Sequence, residues 1–188
     1  MQILSFPEAA TPGGLRVQVL ELQREAWPSV GGVGLTHDPL LRPLSVVGVD
    51  GGVVVAALDV LFKDIVHGGR RFAAGGLSTV VTRSERRGRG YGRSLVRAAR
   101  ELMIDHQLDF GLFTCDRPLQ GFYESAGWQV LPGAVLVGGS RDDPFPSDQP
   151  GFDKVTMGDF FTEAGRQAEA SFQHARIELY PGDVDKLW

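Results

Sequence analysis

The run LSVVGVDGGVVVAALDVLF, Leu44 to Phe62, limits the fold more than any other stretch of the chain. Valines dominate a block too long for one ordinary strand, and Asp50-Gly51 stands near its middle. An Asp-Gly pair between apolar runs is the strongest short-range hairpin signal, because the tight turn between two strands demands positive φ. The run therefore folds back on itself as two antiparallel strands. Asp50, Asp59 and the interspersed glycines exclude a membrane span. A second turn at HGGRR leads to FAAGGLSTVVT, Phe72 to Thr82, as a third strand. Three such strands in succession form a meander.

The flanking sequence adds helices and further strands. QILSF reads as a first strand. Thr11 offers an N-cap and Pro12 a first-turn proline for a helix carrying Leu15, Val19, Leu22 and Ala26 on one side. WPSVGGVGLTHDPLLRP, Trp27 to Pro43, reads as a loop with at most a turn or two of helix. After the meander comes an amphipathic helix with Leu95, Val96, Ala99, Leu102 and Met103 inward. Arg93, Arg97 and Arg100 form a solvated face on it. LDFGLFTC is a buried strand, and PLQGFYESAGW a short helix with Gly127 at its C-cap. WQVLPGAVLVG and FDKVTMGDF are strand candidates on either side of the polar loop GSRDDPFPSDQPG. The tail holds a helix, a strand ARIELY and a final turn PGDVDKLW. This order predicts an α+β fold with a central mixed, mostly antiparallel sheet flanked by helices. One domain over 1–188 is expected, with its core at about 44–137 and a C-terminal extension at about 159–188.

Composition narrows the function classes. The net charge of −4 argues against a nucleic-acid binder and mildly favours cationic ligands. The single cysteine, Cys115, excludes an internal disulfide and a multi-cysteine metal site, which suits a cytoplasmic protein. It reads as a buried small residue, not a nucleophile. No metal site is expected. The N-terminus lacks the basic region and apolar run of a signal peptide.

The chemistry concentrates in LSTVVTRSERRGRGYGRSLVRAAREL, Leu77 to Leu102, where a strand passes through arginines and glycines into a helix. Glycines let main-chain N–H groups converge without side-chain obstruction, and the positive end of the helix points at the same place. Such a segment binds an anion, most naturally a pyrophosphate. A P-loop is excluded because no Gly-Lys-Ser/Thr follows. The spacing Gly88-x-Gly90-x-Gly92 after an antiparallel meander is not the dinucleotide fingerprint.

Arg87-Gly88-Arg89-Gly90-Tyr91-Gly92 resembles the Arg/Gln-x-x-Gly-x-Gly/Ala signature of the GNAT superfamily of N-acetyltransferases. Phe122-Tyr123-Glu124-Ser125-Ala126-Gly127-Trp128 is similar to the tyrosine-containing helix of that family. The resemblance covers roughly Leu44 to Val137. It implies a three-layer α/β/α fold, acetyl-coenzyme A as co-substrate, and acetyl transfer to a primary amine of a small, cationic acceptor in a ternary complex. It also implies that Val80, Val81 and Thr82 pair through their main chain with the pantetheine arm, between splayed strands LSTVV and LFTC. Arg87, Gly88, Arg89, Gly90, Tyr91 and Gly92 would hold the pyrophosphate, assisted by Arg93. A main-chain N–H near Val81 would serve the oxyanion. Tyr123 matches the general-acid position, with a core tyrosine as the other reading.

A base is harder to place. Ser78 and Thr79 lie where an acidic residue is often found in the family, and neither is a base. Asp116 is a candidate, with a cap on the RPLQGFYES helix as its other reading. His37-Asp38 could reach the acceptor mouth, although a loop histidine is commonly just solvated. His67 reads as a hairpin tip; His106 and His174 read as helix surface. The end of the chain resembles that of the aminoglycoside 2′-N-acetyltransferases, with Asp183, Asp185 and the Trp188 carboxylate clustered beside an exposed tryptophan. Asp185-Lys186-Leu187 interrupts the join found there, and Ser78 replaces a glutamate. Ser78, Thr79, His37, Asp38, Asp183 and Trp188 are thus the acceptor-site candidates. The partner implied is a small-molecule amine, with no nucleic acid or membrane, and homodimers are common in the family. A non-catalytic acyl-coenzyme A-binding module is the alternative function.

Overall fold

The computed structural model describes residues 1–28 and 36–188. Part of the loop expected at Trp27–Pro43 therefore lies outside the described residues. The chain starts with strand β1 (Gln2–Pro7) and helix α1 (Gly13–Ala26). The helix opens one residue later than Thr11 suggested: Pro12 occupies the N-cap, and the Thr11 hydroxyl is buried without a hydrogen-bond partner.

The expected hairpin joins β2 (Leu44–Asp50) to β3 (Val53–His67), with Gly51 and Gly52 at φ 58° and 79° in its turn. Gly68 and Gly69 turn the chain into β4 (Arg70–Thr82), which completes the meander. Helix α2 (Tyr91–Asp105), strand β5 (Phe110–Asp116) and short helix α3 (Gln120–Glu124) follow. WQVLPGAVLVG divides into β6 (Gln129–Val130) and β7 (Val135–Gly139), which belong to different sheets. Leu131-Pro132-Gly133, with Gly133 at φ 64°, supplies the break. The chain ends with β8 (Pro144–Pro146), β9 (Lys154–Phe160), α4 (Glu163–Phe172), β10 (Arg176–Glu178) and an irregular tail.

Among the described residues seven strands form one sheet in the order β1-β2-β3-β4-β5-β9-β6, and β10-β7-β8 form a second. In the large sheet only the β4–β5 pair is parallel. Successive residues of a strand face opposite sides, which fixes the layers. Gly75 and Gly111 face Met103 and so the α2 side, where Phe113, Tyr123 and Trp128 also pack. Gly76 faces the other way, onto Trp188, and that face carries the cluster of Phe72, Phe110, Phe160 and Phe172. The C-terminal segment belongs to the core: Phe172, Ile177, Leu179 and Trp188 join the same buried cluster as Leu58, Leu95 and Phe113. A second cluster of Val19, Leu22, Val47, Val54, Ala57 and Val81 seats α1 on the meander.

Two surface readings change. Arg100 is not simply solvated, because its Nε donates to Asp159 Oδ2 at 2.5 Å, and Arg97 donates to the Ser125 carbonyl at 2.9 Å. His174 follows α4 in a left-handed conformation, φ 55°, instead of lying on the helix. His67 does stand at the β3–β4 hairpin tip, stacked on Phe172 at 4.1 Å. Among the described residues no helix is long and apolar enough to cross a membrane.

Candidate active site

Strands β4 and β5 pair only at Ala74–Phe110 and Gly75–Gly111, and no register continues beyond them. From there β4 stays on β3 as far as Thr82, while β5 stays on β9 as far as Asp116. The sheet therefore opens into a V. Arg83 N–H donates to Val55 C=O at 2.9 Å, so Arg83, and by alternation Val81, direct their main-chain groups at β3. Those of Val80 and Thr82 face the opening. The main-chain N–H near Val81 on that side is accordingly Val80's.

The side of β4 that faces the V is bent by a bulge. The β3 register shifts between Ala57 and Asp59, and Thr79 takes φ 48°, a left-handed value that costs a β-branched residue of order 1–3 kcal/mol. The Thr79 hydroxyl donates to Asp59 Oδ2 at 2.5 Å, which helps to hold it there.

Beyond Thr82 the chain turns through Ser84–Arg86 to the glycines. Gly88 and Gly90 have φ 74° and 81°, Gly90 as the N-cap of α2. A Cβ on Gly88 would meet nothing within 4 Å, and on Gly90 only the Arg93 guanidinium at 3.9 Å. The N–H groups of the first turn precede the first intrahelical bond, from Ser94 N–H to the Gly90 carbonyl. Arg87 and Arg89 are exposed beside them. These residues have the conformation, the open space and the donors to cradle a pyrophosphate. Gly92 differs. It is buried, and its Cβ would lie 2.7 Å from Thr82 Oγ1 and 3.4 Å from the Phe122 ring, so its small size serves packing. Tyr91 donates to Asp50 Oδ2 at 2.8 Å and ties the loop to the first hairpin. A cavity of about 420 Å³ at the end of β4 is lined by Leu22, Glu25, Ala26, Val81, Thr82, Ser84 and Arg87.

Tyr123 is 5 % exposed and packs edge-on to Phe113 and Phe122, both at 4.9 Å. Burial, with smaller contributions from Cys115 and Asp116, pushes its pKa well above the usual phenol value, so the ring keeps its proton. Cys115 is buried as expected, and burial, with the nearby Asp116 charge, pushes its thiol up to about 11. Asp116 does not cap the turn after β5; it accepts an ion pair from Lys154 Nζ at 2.7 Å.

The largest departure from the sequence reading is His37. It is buried, 4 % exposed, between two buried carboxylates. Nδ1 is hydrogen-bonded to Asp185 Oδ1 at 2.5 Å, whereas Nε2 faces Asp59 Oδ2 at 3.2 Å as an ion pair without hydrogen-bond geometry. Burial alone lowers the basicity of the ring, but the bond to Asp185 and the charge of Asp59 outweigh it, and the pKa is pushed up to about 10. Asp59 also accepts from Ser45 Oγ at 2.5 Å and Gln23 Nε2 at 3.4 Å, and Asp185 accepts from Asp38 N–H at 2.9 Å. The signal for Asp59 was present: a carboxylate inside AALDVLF must be compensated if the strand is buried. Asp185 and His37, 148 residues apart, carried no comparable signal.

Trp188 is also buried, not exposed. Its indole N–H donates to the Leu112 carbonyl at 2.9 Å, and its ring lies on the bare backbone of Gly76. The indole thus sits at the foot of the V, touching both arms. Asp38 borders this region half-buried and caps the Pro39–Leu41 turn through Leu40 N–H; Ser78 is half-buried on β4, and Asp183 is exposed. In the polar loop ahead of β9, Asp148 pairs with Arg176 at 2.9 Å.

Comparison with curated proteins gave no match. The structure resembles that of ElaA from Escherichia coli, with a TM-score of 0.58, 17 % identity, and coverage of 84 % of this chain and 97 % of that one. An acyl-CoA N-acyltransferase from Pseudomonas aeruginosa gives 0.60 at 17 % identity, with coverage of 84 % and 97 %. An aminoglycoside 6′-N-acetyltransferase complexed with coenzyme A gives 0.60 at 16 % identity, with coverage of 86 % and 98 %. At these identities the likeness concerns the fold. The family model described as acetyltransferase (GNAT) domain matches residues 15–131, and the chain therefore belongs to the GNAT acetyltransferases.

Proposed function

We propose that this protein is an acetyl-coenzyme A-dependent N-acetyltransferase acting on the primary amine of a small, cationic acceptor by direct transfer. The observation that carries the reading is the V between β4 and β5, with the glycine loop at one end and Tyr123 packed on Phe113 of β5. Acetyl-coenzyme A, when bound, supplies an acetyl thioester open to attack by an amine. Val80 and the Thr82 N–H offer main-chain groups to the pantetheine, the Thr82 carbonyl already accepting from Arg87 Nε at 3.2 Å, and Val80 N–H, which faces the opening, serves the oxyanion. Gly88, Arg89, Gly90 and the first turn of α2 take the pyrophosphate, with Arg87 and Arg93 adding charge.

Tyr123 serves the departing thiolate. Its raised pKa makes full donation to a thiolate of pKa about 8.5 uphill. Its contribution is a hydrogen bond that strengthens as charge develops on sulfur. His37 does not serve as the base, because it already carries its proton near neutral pH. Asp59, which takes hydrogen bonds from Ser45, Thr79 and Gln23 and faces His37, is poorly placed to accept one. The amine then arrives neutral or loses its proton through water. That neither His37 nor Asp59 is placed to take this proton keeps a non-catalytic acyl-coenzyme A-binding module as the second reading.

The test is a thermal melt with and without acetyl-coenzyme A, beside Gly90→Glu, followed by thiol release with a panel of amines. Ligand at a hundred times its dissociation constant stabilises the native state by about 2.7 kcal/mol, worth roughly 5–10 °C in a chain of this size. A shift lost in the variant supports the cradle; no shift in either refutes it. A shift with no thiol release for any amine favours the module.

A further inference from the structure

The buried charges around His37 link three places that matter if the acetyl-transfer reading holds. Asp59 holds Thr79 in its left-handed conformation at the β4 bulge. His37 joins Asp59 to Asp185. Asp185 lies three positions before Trp188, whose indole sits at the foot of the V. The tail is fixed along the way as well. The Lys186 carbonyl accepts from Gly139 N–H at 2.8 Å, and Gly182 N–H donates to the Gly139 carbonyl at 3.0 Å. Lys186 crosses Gly138 so closely that any Cβ there would overlap its carbonyl.

We propose that His37 is a positioning residue: held between Asp185 and Asp59, it fastens the tail that ends in Trp188 to the β4 bulge, so that the tail forms a fixed wall of the acceptor site. The proposal rests on the acetyl-transfer reading for its chemistry, but not for its geometry.

Three observations carry it beyond an ordinary internal ion pair. The cluster is asymmetric in charge, two carboxylates to one imidazolium, and burying such an excess is costly unless each group is held by hydrogen bonds. Donors are supplied from every neighbouring element: Gln23 on α1, Ser45 on β2, Thr79 on β4 and the Asp38 main chain. The second observation is where these bonds lead. One carboxylate bonds the strained residue of the bulge, the other the segment whose indole contacts both arms of the V. The third is the direction of the net charge. Over Asp59, Asp185 and the His37 imidazolium one negative charge is left, which favours a cationic acceptor and the ammonium that forms when an amine attacks a carbonyl carbon. Nucleophilic nitrogen gains that positive charge as the carbon–nitrogen bond forms, and loses it when its proton leaves to water.

The cluster can be opened from either side with little change of shape. In Asp185→Asn the tail loses its charged partner; in His37→Gln both carboxylates lose theirs. Either substitution should free the tail while sparing the pyrophosphate loop, on the opposite side of Thr82. Amide hydrogen exchange of the segment 182–188 reads the tail directly and needs no turnover. We expect it to accelerate at least tenfold in Asp185→Asn, while the melting shift with acetyl-coenzyme A is retained. With an amine that the wild type acetylates, the acceptor KM should rise about tenfold with the donor KM unchanged, the pattern of a lost acceptor contact. His37→Gln should behave alike, and His37→Lys, which restores a cation, should recover part of the acceptor KM. Should His37→Gln fail to fold, Asp185→Asn decides alone.

Tail exchange as slow in Asp185→Asn as in the wild type overturns the clamp. A freed tail with unaltered acceptor KM overturns the wall. A wild type that acetylates no amine overturns the acetyl-transfer reading and the wall with it, whereas the exchange result still decides the clamp.

Discussion

Trp188 and Gly76 should behave as one unit under mutation. The indole is 8 % exposed, donates one hydrogen bond to Leu112, and lies where a Gly76 Cβ would have to be, with Cδ1 at 2.7 Å from that position. Truncating a buried tryptophan to alanine costs roughly 3–5 kcal/mol. For a domain of this size each kcal/mol moves Tm by roughly 2–4 °C, so Trp188→Ala should lower it by roughly 6–20 °C. Gly76→Ala reaches a similar end by another route, since the methyl group and the ring cannot share the space and the ring must leave. It should therefore cost nearly as much. In the double variant the methyl group enters space already vacated, and the second substitution should cost almost nothing. Urea denaturation of the four proteins gives the coupling, expected to be nearly the whole cost of Gly76→Ala, roughly 3–5 kcal/mol, and so at or above the top of the roughly 0.5–3 kcal/mol range for contacting residues. Costs that add to within about 0.5 kcal/mol would refute the placement of the indole on Gly76.

Other outcomes follow from the same contacts. His37 has a folded pKa of about 10 against 6.5 unfolded, so its contribution is complete below pH 6.5 and is lost as the pH rises through 10. Between those limits stability should fall by at most about 5 kcal/mol. Denaturation at a series of pH values checks this, and a slope unchanged in His37→Gln would assign it elsewhere. Tyr123→Phe should lower acetyl turnover by about a hundredfold while leaving the melting shift with acetyl-coenzyme A in place; equal turnover would make Tyr123 a packing residue. Gly92→Ala should destabilise the protein through Thr82 and Phe122, measured by its melting temperature, whereas Gly88→Ala should chiefly weaken the response to acetyl-coenzyme A. Cys115, with its thiol pushed up to about 11, should resist a disulfide reagent at pH 8 until denaturant is added.

Much of the fold could be read from local chemistry. The Asp50 hairpin, the meander and the α2 segment each carry turn glycines and apolar spacing within a few residues of one another. The glycine loop was legible for the same reason. What escaped was set by contacts distant in sequence. WQVLPGAVLVG has the composition of a single strand, yet it divides between two sheets because β6 pairs with β9 and β7 with β10. The tryptophan at the end of the chain, unattached to any periodic pattern, gave no hint that Gly76 and Leu112 would enclose it. His37 looked solvated because its carboxylates come from β3 and from the tail. The glycines at 88, 90 and 92 share one motif, and only packing separates the two that leave space from the one that fills it.

The two-residue pairing of β4 with β5 also has a mechanical meaning. The large sheet consists of two plates, β1 to β4 and β5 with β9 and β6. Among the described residues the β4–β5 ladder crosses between them only at Ala74–Phe110 and Gly75–Gly111, with one further main-chain bond beside it from Asp109 N–H to the Ala73 carbonyl at 2.7 Å. Such a joint is short enough to flex, and a load pulling the plates apart would concentrate there. Trp188 bridges the joint like a pin, with its ring on one plate and its N–H bonded to the other. Stiffness across the sheet is thus set in part by the last residue of the chain, far in sequence from either strand it joins.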